Sequence, residues 1–219
     1  ATAMSSALNH VTVTNTTATG NGVVIDGGAG GSGTFTANVQ NLNVNVKANG
    51  FVAQNGVTLT AGGTNTITSA TGVGLKLNNM VISGTGANFQ SVDVTAGTTN
   101  GVVMTDVTGG QVAITGTGTT ANSGGALTTV GHAIVLSNVV NVDRNNVHVV
   151  NARGAGSQGL NIDHTAADAN AMDVTIENLT LDAANNNGID VLAANSHAFN
   201  LRLNNSTLTD NVVMSNTGS

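Results

Sequence analysis

The chain has 219 residues, of which 29 are Gly, four are Phe and none is Pro, Cys, Trp or Tyr. Charged residues make up 7%, against a usual fraction of about 25%, while hydrophobic residues make up 40%. A chain this rich in Val, Ile and Leu can bury a core, and its composition fits neither a coiled coil nor collagen. The composition therefore predicts an all-β protein built from Val, Thr, Asn and Gly.

No change of composition divides the chain, so we expect a single domain over residues 1–219. Within it, we expect an N-terminal strand or edge segment at 1–21, repeat coils at 22–214 and a C-terminal tail at 215–219. The formal net charge of -6 disfavours nucleic acid and anionic membrane surfaces. No stretch approaches the ~18 apolar residues of a membrane span, so membrane insertion is not expected.

A Gly followed by apolar residues recurs along the chain, and repeats of this length predict stacked units. The steps between these glycines are 28, 22, 29, 30, 28 and 29 residues by subtraction, for Gly22, Gly50, Gly72, Gly101, Gly131, Gly159 and Gly188. Four of them follow an Asn, namely Asn21, Asn49, Asn100 and Asn187. Because Asn and Gly tolerate positive φ, we expect these eleven residues to turn the chain sharply before a strand.

Short segments with alternating apolar residues lie between the glycines and predict further strands. Examples are Leu42–Val46, Val57–Leu59, Val92–Val94, Val112–Ile114, Val147–Val149, Val174–Ile176 and Leu201–Leu203. The fold predicted from this pattern is a parallel β-helix (β-solenoid) of about seven coils of roughly 28–30 residues. Its narrow interior favours branched aliphatic side chains, and Pro would remove a ladder donor at every coil.

Asn residues recur at the predicted strand ends, as Asn78-Asn79, Asn145-Asn146, Asn185-Asn186-Asn187 and Asn204-Asn205. Asn side chains at equivalent corners of successive coils can hydrogen-bond to one another along the stack. We therefore expect Asn ladders with a structural role.

Several of these segments are similar to a known family. The similarity is carried by Ala133–Val139, Asn145–Asn151, Gly159–Ile162, Ile176–Leu181, Gly188–Val191 and Leu203–Leu208. They resemble the right-handed parallel β-helix repeats of large bacterial surface and secreted proteins, including adhesins and autotransporter-like passengers. The resemblance implies the fold and an extracellular setting at the bacterial cell surface, whereas function does not follow from such a fold.

A group of titratable residues suggests an alternative function; its members are Asp163, His164, Asp168 and Asp173, with Glu177, Asp182 and Asp190 in the following coils. Some β-helix proteins bind or degrade polysaccharides with carboxylates on one outer face, as lyases or hydrolases. Against this, Asp163 and Asp190 differ in their offsets from the repeated glycines, and the chain lacks the Trp and Tyr that stack on sugars. We therefore expect a solvated polar surface, with no catalytic residue, cofactor or metal ligand.

Two Arg residues also bear on polysaccharide binding, because Arg can pair with a uronate carboxylate. Arg144 and Arg202 lie 13 and 14 residues after their coil-opening glycines, offsets that are compatible with one shared face of the stack. A surface ion pair with a neighbour such as Asp143 is the simpler expectation.

The functional hypothesis rests on the two ends of the chain. Neither end has the polar or helical cap that an isolated solenoid needs to avoid edge pairing. We therefore expect assembly edges, at Val11 and Val13 on one end and at Val212, Val213 and Met214 on the other. The expected partner is another copy of the chain in a head-to-tail filament, or neighbouring repeats if the chain is part of an adhesin. Surface glycans are a further candidate partner.

Overall fold

The computed structural model describes residues 3–17, 19–28, 35–118, 120, 122–139, 142–145, 148–152, 157–165, 171–182, 186–194 and 198–216. All regular elements in these ranges are β-strands, and their pairings are parallel. The predicted all-β parallel β-solenoid is therefore confirmed.

The described part of the chain forms 23 strands. In chain order they are β1 (Met4–Asn9), β2 (Thr12–Asn15), β3 (Val23–Asp26), β4 (Phe35–Gln40), β5 (Asn43–Val46), β6 (Phe51–Gln54), β7 (Val57–Gly62), β8 (Thr66–Ser69), β9 (Leu75–Phe89), β10 (Ser91–Gly97), β11 (Val102–Gly109), β12 (Val112–Ile114), β13 (Ala126–Thr129), β14 (Ile134–Val139), β15 (Val142–Asn145), β16 (His148–Ala152), β17 (Leu160–His164), β18 (Met172–Glu177), β19 (Thr180–Leu181), β20 (Ile189–Ala193), β21 (Phe199–Asn204), β22 (Thr207–Leu208) and β23 (Val212–Asn216).

Successive strands occupy three stacks in turn, which we call faces A, B and C. Face A is formed by β3, β6, the first half of β9, β11, β14, β17, β20 and β23. Face B is formed by β1, β4, β7, the second half of β9, β12, β15, β18 and β21. Face C is the separate sheet of eight strands, β2, β5, β8, β10, β13, β16, β19 and β22. Faces A and B belong to one sheet because β9 continues from one into the other.

The coils stack in a register that differs in detail from the predicted repeat. The first face-A residues form one row, Val23, Phe51, Leu75, Val102, Ile134, Leu160, Ile189 and Val212, so the seven steps are 28, 24, 27, 32, 26, 29 and 23 residues. The residues that precede this row include Gly74 and Ala133, two positions after the predicted Gly72 and Gly131. Variable corners explain the difference, because extra residues bulge outward while the strands stay paired.

The glycines that precede face A are explained by the close approach of neighbouring atoms to their Cα. The prediction of a positive φ at these residues is wrong. None of the predicted Asn and Gly turn residues has a positive φ. Instead, a Cβ on Gly74 would lie 2.7 Å from Val92 Cγ1, and one on Gly101 would lie 2.7 Å from the Ala133 carbonyl oxygen. At Gly74 and Gly101 a Cβ therefore has no room beside the face-C side chains and the next coil.

Positive φ occurs instead at the other two corners. Between faces A and B it is found at Asn55, Asn79, Asp106 and Asn138, and between faces B and C at His10, Asn41, Asn178 and Asn205. These are residue types whose short polar or ring side chains tolerate the left-handed region better than β-branched residues do. The predicted importance of Asn at strand ends therefore holds for Asn79 and Asn205, while Asn146 and Asn185 lie outside the described residues.

The core is a set of continuous apolar columns inside the coils. Face B, for example, buries Ala37, Leu59, Ile82, Val112 and Val174. Phe51 and Phe89 meet edge to face, with their ring centroids 5.5 Å apart. The inward alternation of branched side chains predicted from the sequence therefore accounts for the core.

One polar side chain is fully buried at the corner between faces B and C. Asn65 Oδ1 accepts from Leu42 N at 2.9 Å, while its Nδ2 donates to the carbonyl oxygens of Gly62 at 2.9 Å and Asn88 at 2.8 Å. These partners lie on three successive coils, so the Asn65 side chain links three layers. Its own corner, between β7 and β8, is one residue longer than the corner between β4 and β5.

Candidate functional site

The two end surfaces of the solenoid present open strand edges. Among the described strands, β1, β2 and β3 at the N-terminal end each pair on one side only, with β4, β5 and β6. At the C-terminal end, β21, β22 and β23 likewise have one described partner each, β18, β19 and β20. Each end surface therefore offers three strand edges to a further parallel strand.

Exposed apolar side chains are concentrated on these end strands. Of the seven large hydrophobic residues that are exposed in the described part of the chain, five lie there: Met4, Val24, Val212, Val213 and Met214. Met4 and Met214 are 61% and 62% exposed. The other two, Val81 and Val130, lie away from the ends. Met4, Val212 and Met214 belong to inward rows that no described coil covers, whereas Val24 and Val213 point outward from face A.

The three predicted edge residues at the C-terminus all lie in β23, which forms the last layer of face A. Val212 and Met214 are paired with Ile189 and Val191, which are buried in the core. They therefore continue an inward column and are exposed because no described coil covers them. Val213 is paired with Asp190 on the outer side of the sheet.

The two predicted edge residues at the N-terminus lie in the first coil. Val13 belongs to β2 and is paired with the buried Val44, while Val11 lies in the preceding corner; both pack against the core. The predicted N-terminal strand or edge segment at 1–21 contains β1, but the sequence analysis did not single out this strand or Met4. The alternation of Met4, Ser6 and Leu8 was the available signal, but Ser and Ala have weak strand propensity.

A cavity opens beside the first strands. It has a volume of about 320 Å³, and its apolar lining includes Leu8, Val23, Ile25, Phe35 and Val39. The first described coil supplies face B and face C through β1 and β2, and no described strand lies above β3 on face A. The cavity therefore lies where a face-A strand of a preceding coil would cover β3.

The corner between faces C and A is held by side chains that bond to the next coil. Asn49 N donates to Asn21 Oδ1 at 3.3 Å, and Val73 N donates to Asn49 Oδ1 at 3.0 Å. His132 N likewise donates to Asn100 Oδ1 at 2.8 Å. Three of the Asn residues predicted to turn the chain thus stabilise the corner through the side chain and not through φ.

The same corner contains a His with a perturbed pKa. His132 Nδ1 accepts a hydrogen bond from Gln158 N at 3.0 Å, and Gln158 Nε2 donates to Asp190 Oδ2 at 3.1 Å. Burial lowers the pKa of His132, by more than the nearby Asp190 carboxylate and the Gln158 side chain raise it. The neutral ring is therefore favoured, with Nδ1 as the acceptor.

One carboxylate near the N-terminal end has a lowered pKa. Asp26 accepts hydrogen bonds from Asn55 Nδ2 at 2.8 Å, from Gln54 Nε2 at 2.7 Å and from Gly28 N at 2.9 Å. These bonds lower the pKa of the Asp26 carboxyl. A carboxylate held by neutral donors in this way stabilises the corner between faces A and B.

The acidic residues weighed as polysaccharide catalysts do not converge. Asp163 is paired with Leu192, and Asp190 with Asn161, so the two carboxylates lie in different rows of face A. Asp173 and Glu177 lie on face B, where they accept from Asn200 Nδ2 at 2.7 Å and from Asn204 Nδ2 at 3.2 Å. Within the part of the chain that the structure describes, no three His, Cys, Asp or Glu residues form a metal-binding group, and Asp168 lies outside that part.

The register also separates the two Arg residues. Arg202 pairs with Thr175 and, through it, occupies the row of Asp143, whereas Arg144 pairs with Ile176 in the adjacent row. Arg144 and Arg202 therefore both lie on face B, in β15 and β21, but in adjacent rows of it.

No helix among the described residues is long and apolar enough to cross a membrane. Comparison of the chain with protein-family models, with curated proteins and with solved structures finds no match.

Proposed function

We propose that this chain is an extracellular structural or adhesive β-solenoid whose coils continue end to end. The continuation is formed by further copies in a head-to-tail filament at the bacterial cell surface, or by neighbouring coils if the chain is a segment of an adhesin. The observation that carries this proposal is the exposure of the inward apolar residues Met4, Val212 and Met214 on the two end surfaces. Burying them against a further coil is favourable by about 25 cal/mol for each Å² of apolar surface.

The end strands also lack the usual protection against edge pairing. Proteins block exposed edges with charged residues, Pro or bulges. The six end strands contain only Asp26 and Arg202 as charged residues, one of each sign and one on each end, and the chain has no Pro. These edges are therefore suited to association.

We further propose that the chain is not an enzyme and needs no cofactor. The described carboxylates accept hydrogen bonds separately, from neutral side chains, at different places on the surface. A screen of polyuronates for new reducing ends or unsaturated products tests this proposal, and any such product formed by the purified chain would contradict it. A glycan array likewise tests surface glycans as an adhesion target.

Assembly is tested on the purified chain by light scattering across a concentration series and by electron microscopy. We expect concentration-dependent oligomers and fibres one solenoid wide. Met214→Lys places a charge on the C-terminal end surface and is expected to prevent them. Val130→Lys is the matched control, because Val130 is 52% exposed but does not lie on an end strand. A chain that stays monomeric at all concentrations would refute self-assembly.

A further inference from the structure

We propose that the joint between two copies is one more coil-to-coil step, in which β1, β2 and β3 of one copy stack on β21, β22 and β23 of the preceding copy. This inference rests on the proposed self-assembly and specifies its surface and register. The partner is a second copy of this chain, bound through three parallel strand ladders.

The two end surfaces are complementary steps. At the N-terminal end, β1, β2 and β3 are the first described layers of faces B, C and A. At the C-terminal end, β21, β22 and β23 are the last described layers of the same three faces, in the same order along the chain. Placing β23 above β3 therefore continues this order, with β21 above β1 and β22 above β2.

The corners between faces B and C fit each other at this joint. Residues 4–13 and 199–208 have the same pattern, a strand of six residues, a two-residue corner and the next strand, at a constant offset of 195. The first corner residue has a positive φ in both, 54° for His10 and 46° for Asn205. The inward residues Met4, Ser6, Leu8 and Val13 thereby fall above Phe199, Leu201, Leu203 and Leu208.

Corners of this length already stack residue on residue inside the molecule. Asn205 lies above Asn178, to whose Oδ1 its Nδ2 donates at 2.5 Å, and the flanking strands pair in the same register. At the other end, Asn41 Nδ2 lies 3.4 Å from His10 Nε2. Because both internal steps keep equal corners aligned, we infer that His10 of one copy lies on Asn205 of the preceding copy.

The apolar cavity at the N-terminal end completes the joint. It is lined by Val23 and Ile25 of β3, which β23 would cover, and by Leu8 of β1, which β21 would cover. Val212 and Met214 occupy the same inward rows as Val23 and Ile25 through the face-A register. The joint therefore brings the exposed Met214 side chain of one copy to the cavity of the next.

Cysteine cross-linking tests this register directly, since the chain has no Cys of its own. Thr12 and Thr207 are exposed and stack on each other in the proposed joint. Stacked parallel strands place such residues about 4.8 Å apart at Cα, within the range that a disulfide spans. Thr14 is the matched control, because it is also exposed on β2 but lies two residues further along the strand. Its Cα would be about 8 Å from that of Thr207, which is too far for a disulfide.

Thr12→Cys and Thr207→Cys variants are mixed, oxidised and analysed on non-reducing gels, with circular dichroism as the check on folding. We expect disulfide dimers from the mixture and none from either variant alone. Replacing Thr12→Cys by Thr14→Cys in the mixture should slow the reaction about tenfold or more, because the slipped pair is out of reach.

Three results would overturn the inference. Cross-linking of Thr12→Cys with itself would indicate a head-to-head joint, and preferential cross-linking of Thr14→Cys would indicate a register slipped by two residues. Fibres without any Thr12–Thr207 cross-link would refute this joint while leaving self-assembly intact. Absence of fibres would instead refute the proposed function on which the joint rests.

Discussion

Gly50→Ala is the sharpest test of why the coils open on Gly. A Cβ at this position would lie 2.5 Å from the carbonyl oxygen of Gly74 on the next coil and would also overlap Ile67 Cγ2. The carbonyl cannot turn away freely, because it accepts from Phe51 N at 2.9 Å. Inserting a methyl group into a packed site costs about 1–3 kcal/mol, and the fixed carbonyl places this substitution at the upper end of that range.

The measurement is thermal and urea unfolding of the variant, followed by circular dichroism. For a chain of this size each 1 kcal/mol corresponds to about 2–4 °C in Tm, so a loss of about 6–12 °C is expected. Gly62→Ala is the matched control, because no atom lies within 4 Å of its Cβ position and its φ is not left-handed. It should be neutral or stabilising by up to about 1 kcal/mol. Equal stabilities of the Gly50 and Gly62 variants would refute the close-approach explanation.

Two further substitutions test the corners. Asn65→Ala removes a buried side chain that makes three hydrogen bonds to backbone groups. Because those groups stay buried, we expect the free energy of unfolding measured in urea to fall by about 2–4 kcal/mol. A loss below about 0.5 kcal/mol would contradict the role of Asn65 in joining the coils. His132 has a lowered pKa in the folded state, so the unfolded chain binds more protons and stability should fall as the pH drops below the ordinary value of 6.5. His132→Asn keeps an acceptor for Gln158 N, as Asn49 and Asn100 do for other backbone N–H groups at this corner. The variant should lose less stability than the original chain between pH 7.5 and 5, and should be equally stable at pH 7.5. An unchanged pH dependence would refute the role of His132 in this loss of stability.

Part of the candidate site could be predicted from the sequence, because β23 begins with three apolar residues and the end strands are nearly uncharged. Val212, Val213 and Met214 are recognisable as a strand that continues the repeat. Met4 was not recognisable, because β1 is made mainly of Ser, Ala and Asn and becomes a strand by pairing with β4. The N-terminal cavity could not be predicted from the sequence either, because it is formed between strands of two different coils.

By itself, the sequence determined that this chain is a parallel β-solenoid. The recurrence of Gly and Asn near 29 residues and the alternating Val, Ile and Leu are local patterns, and stacking is the arrangement that buries them all. The tertiary structure decided the register. Pairing energy is shared along whole strands, so Gly74 and Ala133 align with Gly50 and Gly101 even though the corners differ in length. It also decided why Gly is needed, because the atoms that exclude a Cβ at Gly50 belong to Ile67 and Gly74, which come close to it only when the coils stack.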